Sequence, residues 1–161
     1  MEGGEHLYDL LEGFETAMLV TRGRDGHMHA RPMAVAEVHA DAAAYFVTSI
    51  DSPKVAEIYA DADVLLTFQS AHQYAAIYGR VNVVRERAVI DRLWKDTWKV
   101  WFPRGRSDPT ITLLRFDADR GELWNDLGLL GTQYAFEGTM AYMRADRASA
   151  AGPGQFRREQ P

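Results

Sequence analysis

Lys54 sits where a cation is electrostatically out of place. The stretch Thr48-Ser49-Ile50-Asp51-Ser52-Pro53-Lys54 follows an apolar run and precedes Val55, Ile58 and Tyr59 at helical spacing. Ser52 suits a helix N-cap and Pro53 the first helical position. Lys54 then falls in the first turn, where a cation opposes the helix dipole by ~0.3–1 kcal/mol. An anion at the helix start would resolve the conflict, and phosphate is the usual guest of such a site. The simpler reading is a solvated lysine on an ordinary helix start. Arg31 is a second candidate. Pro32 after it forces an extended backbone, so the Arg31 side chain projects from its strand.

Other groups carry less. His27 and His29 form an H-x-H pair on one face of a strand. That spacing can bind a metal, but a zinc site needs further ligands, and only His39 and His72 remain as distant candidates. The simpler reading is a pair of exposed polar residues beside a turn. Asp61/Asp63 and Asp117/Asp119 are paired carboxylates at element ends, where aspartate serves turns. There is no Walker-type phosphate loop and no G-x-S-x-G, and Ser49 and Ser52 lie near no His–Asp pair. Hydrolytic chemistry has little support. Trp94 and Trp98 read as core, whereas Trp101 adjoins a polar loop with Arg104 and Arg106 and suits an interface or a planar ligand. Trp124, ending a short strand, is a similar candidate.

Hairpins must position these residues. Ala17–Arg22 predicts a strand, Asp25-Gly26 a hairpin turn, and His27–Val38 a second strand. Pro32 places that strand at an edge or a bulge. Ala44–Thr48 predicts a third strand leading into the Ser52 helix, which Asp61-Ala62-Asp63 ends. Val64–Phe68 reads as a strand buried on both faces, and Tyr74–Arg87 as a long strand of period two in which Gly79 marks a bulge or a close backbone approach. One helix is expected to carry Ile90, Leu93, Trp94, Trp98 and Trp101 on a single face. Thr110–Asp117 is a strand, Asp119-Arg120-Gly121 a turn, and Glu122–Asn125 a short closing strand. Residues 5–15 predict a short amphipathic helix over one barrel end, Phe136 to Met143 one more short strand or helix, and residues 144–161 a frayed tail. About six strands in hairpin order predict a mainly β, antiparallel, small closed barrel, with one domain over residues 1–143.

Composition fits this class. The 161 residues are 47% hydrophobic, ordinary for one globular core. Net charge is −5, against nonspecific nucleic-acid binding. The chain has no cysteine, which excludes disulfides and thiolate metal sites and fits a reducing compartment. No apolar run reaches the ~20 residues of a membrane span, and the acidic start is no signal peptide. A cytoplasmic protein is expected.

In order along the chain, R-P-M (Arg31 to Met33), T-S-x-x-S-x-K (Thr48 to Lys54), W-F-P-x-G-x-x-D-P (Trp101 to Pro109) and E-L-W (Glu122 to Trp124) form a series. This series resembles the pyridoxamine 5′-phosphate oxidase-like superfamily of FMN-binding split barrels, and most closely its bacterial general stress protein branch. The resemblance spans nearly the whole chain to about residue 126. It implies a six-stranded antiparallel Greek-key split barrel, homodimeric, with FMN at the subunit interface. Carried over by position, it implies that Arg31 and Lys54 bind the FMN phosphate, helped by Ser52 and the helix start at Pro53. Pro32 and Met33 would run along the isoalloxazine; Val47, Thr48 and Ser49 would contact the ring edge and ribityl chain. Gln69 would contact the ring, and Trp101 and Trp124 would reach the flavin from the second subunit.

The chain lacks the Arg/His-rich C-terminal motif that holds substrate phosphate in true pyridoxamine phosphate oxidases; its tail carries Gln155-Phe156-Arg157-Arg158-Glu159, with no histidine. Vitamin B6 oxidation is therefore not expected. The expectation is an FMN-dependent oxidoreductase of the stress-response type, with NAD(P)H or a small molecule as substrate. The alternatives are a flavin-binding module without turnover, or a split barrel that binds haem or a deazaflavin.

Overall fold

Alternation of buried and exposed residues builds the sheet. The computed structural model describes residues 12–39, 44–125, 133–137 and 155–159. In β1 (Thr16–Arg22), Ala17, Leu19 and Thr21 turn inward, and in β4 (Asp63–Gln69) Val64, Leu66 and Phe68 do. In β5 (Gln73–Val84) the inward set is Ala75, Ile77, Gly79 and Val81. With β2 (Met28–Val38), β3 (Ala44–Ser49) and β6 (Ile111–Asn125) these strands pair in the order β3-β2-β1-β4-β5-β6, and a β3–β6 pairing closes the ring. All pairings are antiparallel. β4 returns beside β1 after three hairpin-linked strands, which is Greek-key order. Helix α1 (Pro53–Ala60) makes the crossing from β3 to β4. The core holds Leu19, Phe46, Leu66, Ile77, Leu114 and Phe116, all fully buried, each stabilising by about 1.5–3 kcal/mol relative to exposure.

A second apolar cluster lies outside the ring. Helix α2 (Arg87–Leu93) and a 3-10 turn (Asp96–Val100) lay Ile90, Leu93, Trp98 and Phe102 over Tyr45, Val47, Ile111 and Leu113. The strand segments buried on both faces are therefore β3 and the first half of β6, not β4. In β4 the outward Leu65 and Thr67 are only half-buried, and no helix among the described residues covers them.

The single helix expected from Ile90 to Trp101 is broken. The chain turns extended at Trp94 and Lys95, then resumes as the 3-10 turn. Tertiary contacts override the period there: Lys95 Nζ donates to the Ala36 carbonyl at 2.8 Å, and Trp94 stacks edge-on to Trp98. The turn expected at Asp119-Arg120-Gly121 is not a turn. β6 continues straight through it as one 15-residue strand. Tyr78 pairs with Arg120 and Gly79 with Ala118, so Asp119 is the extra residue of a bulge. Beyond the bulge β6 stays paired with β5 to Asn125, while its other edge, past the pairing with β3, takes β7 (Gln133–Glu137), which pairs with β8 (Gln155–Glu159). β8 falls in the stretch read from sequence as a frayed tail. The expected helix over residues 5–15 lies mostly outside the described residues. Its Phe14 is buried, 5.1 Å from the Phe68 ring.

Gly79 meets both sequence expectations for it. It sits at the register shift, and a Cβ there would collide with the Asp117 carbonyl oxygen and lie 2.8 Å from the Phe116 ring. Gly79→Ala should destabilise the barrel by about 1–3 kcal/mol, as overpacking does. Urea unfolding of the two proteins measures it, and equal midpoints would refute the close approach.

Candidate functional site

Four pieces of chain meet at one end of the barrel. β2 pairs with β1 over Met28–Ala34 and with β3 only from Val35, so among the described residues Met28–Ala34 is open on its far side. This explains how Pro32 is tolerated: it lies in a one-sided stretch, while the bulge is at Ala36. The open stretch, the end of β3, the start of α1 and the Trp101-Phe102 pair enclose a cleft of about 350 Å³. It is lined by Pro32, Met33 and Ala34, by Val47, Thr48 and Ser49, by Ser52 and Lys54, and by Trp101 and Phe102.

The cleft has a polar end and an apolar end. Lys54 Nζ donates to Thr48 Oγ1 at 3.0 Å and to Ser52 Oγ at 2.6 Å. Two of the three ammonium donors are thus used. Ser52 occupies the N-cap position and Pro53 the first helical position as expected, but the Ser52 hydroxyl makes no capping bond; it accepts from Lys54 instead. Burial and the nearby Arg31 charge hold the Lys54 ammonium below its ordinary pKa, with Glu57 acting the other way. An anion beside Lys54 would offset both its burial and the repulsion from Arg31. Thr112, opposite Thr48 in the β3–β6 register, is fully buried with its hydroxyl unpaired among the described residues. At the other end Met33, Trp101 and Phe102 offer apolar surface, and Trp101 is 56% exposed.

The tryptophan wall is pinned by Asp108. This buried carboxylate accepts from the Thr110 amide at 2.9 Å, from its hydroxyl at 2.7 Å and from Arg104 Nε at 3.2 Å. Ile50 N–H donates to the Thr110 carbonyl at 2.8 Å, which ties the loop to the end of β3. Gly105, at φ +81°, supplies the left-handed residue the loop needs.

Behind Lys54 lies a charged cluster that sequence reasoning missed. Glu57 of α1 is buried. Its Oε2 accepts from Arg31 at 2.8 Å and from the Thr21 hydroxyl, and its Oε1 accepts from His29 Nδ1 at 2.9 Å. Arg31 also donates to Thr21 Oγ1 at 2.6 Å. Only the register reveals the cluster: Thr21 pairs with His29, and His29 and Arg31 alternate onto one face. Glu57 itself carried no signal, since a glutamate three residues after a lysine usually faces water.

Of the expected site residues, Pro32, Met33, Val47, Thr48, Ser49, Ser52, Lys54 and Trp101 line the cleft. Trp101, expected from a second subunit, lines the cleft of its own chain. Pro53 is exposed beside the cleft, and Arg31 is held behind it by Thr21 and Glu57. Gln69 is exposed at the end of β4, paired with Tyr74, and does not reach the cleft. Trp124 is half-buried on β6 opposite Tyr74, beyond the bulge. Ala34 and Phe102 are lining residues the sequence reading did not name. Among the described residues no group of three His, Cys, Asp or Glu side chains could hold a metal ion, and no helix is long and apolar enough to cross a membrane.

A profile of proteins described as pyridoxamine 5′-phosphate oxidase like matches residues 2–143. A general stress family protein of Xanthomonas campestris pv. campestris is 32% identical, over 77% of this chain and 87% of that one, with a TM-score of 0.65. The general stress FMN/FAD binding protein of Xanthomonas citri is 31% identical, over 76% and 87%, with a TM-score of 0.64. A Clostridium acetobutylicum protein related to general stress protein 26 shares the fold at 20% identity, over 84% and 94%, with a TM-score of 0.72. No protein of curated function matches.

Burial pushes the Glu57 carboxyl up, but hydrogen bonds from Thr21, Arg31 and His29 outweigh it and hold its pKa below the ordinary 4.5. A depressed carboxylate contributes stability that is complete above its unfolded pKa and lost as pH falls through the folded one. The wild type should therefore lose stability progressively below about pH 4.5, and Glu57→Gln should flatten that acid limb. Denaturation midpoints from pH 7 to pH 3 check this; parallel curves would refute it.

Proposed function

The chain belongs to the pyridoxamine 5′-phosphate oxidase-like family, in its general stress protein branch, and from that premise we propose that it binds FMN in the cleft and acts as a flavin-dependent oxidoreductase. The carrying observation is the two-ended cleft. A Lys54 ammonium with the Thr48 and Ser52 hydroxyls suits a phosphate, and the Met33, Trp101 and Phe102 end suits a planar ring. The Xanthomonas citri relative is an FMN/FAD binding protein, which supports a flavin.

Bound FMN would supply the hydride and electron chemistry; the protein supplies anchoring and orientation. Lys54 holds the phosphate. The open stretch of β2 offers unpaired backbone groups along Pro32 to Ala34 for the ring edge, and Trp101 with Phe102 shields one side from water. NAD(P)H, or another small hydride donor, would reach the remaining side.

A second copy of the chain belongs to this reading. Outside the ring, Met18 pairs with Thr67 and Val20 with Leu65 across β1–β4, and Leu65 with Tyr78 and Thr67 with Ala76 across β4–β5. These six residues form one outward, largely apolar face that no helix covers among the described residues. A homodimer through this face would bring the partner's strands towards the cleft and give Trp124 its expected role.

One observation favours a flavin-binding module without turnover: the lining contains no carboxylate or imidazole to act as acid or base. NAD(P)H consumption under air by the FMN-loaded protein separates enzyme from binder. The protein should purify yellow or take up added FMN. Lys54→Ala should weaken FMN binding at least tenfold and leave riboflavin binding unchanged, as read by quenching of flavin fluorescence. A colourless protein that takes up no flavin overturns the proposal.

A further inference from the structure

One transverse row of residues crosses five strands on the outside of the sheet. Pro32 pairs with Met18, Met18 with Thr67, Thr67 with Ala76, and Ala76 with Glu122. The row begins in the cleft, where Pro32 is a lining residue, and ends at a carboxylate. Leu123 packs on the barrel core, so its neighbour Glu122 is turned outward. The bulge at Asp119 sets this parity; without the extra residue Glu122 would point into the core. Glu122 is half-buried and makes no hydrogen bond or ion pair among the described residues. A carboxylate on a largely apolar face is unfavourable unless something comes to pair with it.

We propose that Glu122 of a second copy of the chain completes the cleft, as the acid–base group that its own lining lacks. This rests on the reading of the cleft as a flavin site and of the outer face as the surface that joins two copies. Thr67 is the midpoint of the row, with two strands on either side. Pack two such sheets face to face about a twofold axis that runs along β4, and β6 of each copy lies over β2 of the other. Thr67 then meets Thr67, Met18 meets Ala76, and Glu122 meets Pro32. In the neighbouring row, Ala30–Val20–Leu65–Tyr78–Arg120, Leu65 meets Leu65 and Val20 meets Tyr78. Two residues further along the same face, Trp124 meets Ala34, another lining residue. Apolar side chains thus meet one another, and the unpaired carboxylate meets a cleft that has none. An axis across the strands would lay β2 on β2 and β6 on β6, and neither deficiency would be made good.

The chemistry of Glu122 narrows the substrate. An ionised carboxylate accepts hydrogen bonds and donates none. It would hold a small molecule through an N–H or O–H group and disfavour one that presents an anion there. It is also the base to which such a group can pass its proton: the N–H or O–H bond breaks, the electron pair stays on the substrate, and the proton moves to a Glu122 oxygen.

The chain has no cysteine, so introduced thiols are the only ones present. Pro32 and Glu122 of one chain lie four strand spacings apart, ~19 Å along the sheet, whereas packed sheets stand ~10 Å apart. A short bis-maleimide should therefore join Pro32→Cys/Glu122→Cys chains into covalent dimers on a denaturing gel. Ala30→Cys/Arg120→Cys, in the neighbouring row, should do the same, and the four single variants should stay monomeric. Two monomeric double variants overturn the inference. So do dimers of Glu122→Cys alone, which would place the axis across the strands.

The role in the cleft has its own readout, the reduction potential of bound FMN measured against a reference dye. A negative charge beside the ring resists electron uptake. Glu122→Gln, which keeps the shape and removes the charge, should raise the potential, and an unchanged potential overturns that role. A protein that takes up no flavin overturns instead the reading of the cleft, while the cross-links still decide whether Glu122 of one copy meets Pro32 of another.

Discussion

The pairing of β3 with the first half of β6 is the contact on which the molecule depends. It closes the ring, and it is buried on both faces. Inward, Phe46, Leu114 and Phe116 complete the barrel core; outward, Tyr45, Val47, Ile111 and Leu113 receive α2 and the 3-10 turn. Buried backbone polar groups must be paired, and this ladder pairs them where no water can. The cleft hangs from the same seam. β3 ends in Thr48 and Ser49 and runs within five residues into Lys54. The segment that precedes β6 carries Trp101 and Phe102; Asp108 braces it internally, and the Thr110 carbonyl ties it to the end of β3 through Ile50.

Both ends of the cleft follow from this arrangement. The polar end is local in sequence, since Thr48, Ser52 and Lys54 lie on one turn of chain. The apolar end is distant, and it arrives because the outer cluster needs Trp98 and Phe102 in its centre. Trp101, next to both, is left on the open side. A single packing requirement therefore delivers an exposed aromatic to the mouth of a charged pocket. Lys54 sits unfavourably at its helix start, and the Glu57 cluster behind it pairs with a second positive charge, Arg31.

Much of this was legible in the chain. Period-two runs located the strands, and Ser52-Pro53-Lys54 located the helix start and its misplaced cation. Gly79 announced its own close approach. What failed, failed for tertiary reasons. Trp94 to Trp101 keeps a helical period, yet Lys95 binds the Ala36 carbonyl and the helix gives way. Asp119-Arg120-Gly121 has turn composition, but Phe116 over Gly79 demands an extra residue in β6, and Asp119 supplies it as a bulge. Val64–Phe68 is apolar but for Thr67, yet what buries a strand is its neighbours, and the helices described cover β3 instead. Arg31 was singled out correctly as a projecting side chain, but its partner, Glu57, lies 26 residues away with no pattern to reveal it.

The order in which these pieces can assemble has a consequence for any ligand. The hairpin of β1 and β2 and the polar turn are made by short-range contacts, whereas the β3–β6 seam joins segments more than sixty residues apart. Loop closure of that length is slow and entropically costly. The cleft spans the seam, with Lys54 on one side and Trp101 on the other. A molecule lodged there is a cross-brace over a joint between distant segments. It would stabilise the closed barrel by mass action, and it would slow reopening of the seam, so occupancy of the cleft becomes a setting of the protein's lifetime as well as its chemistry.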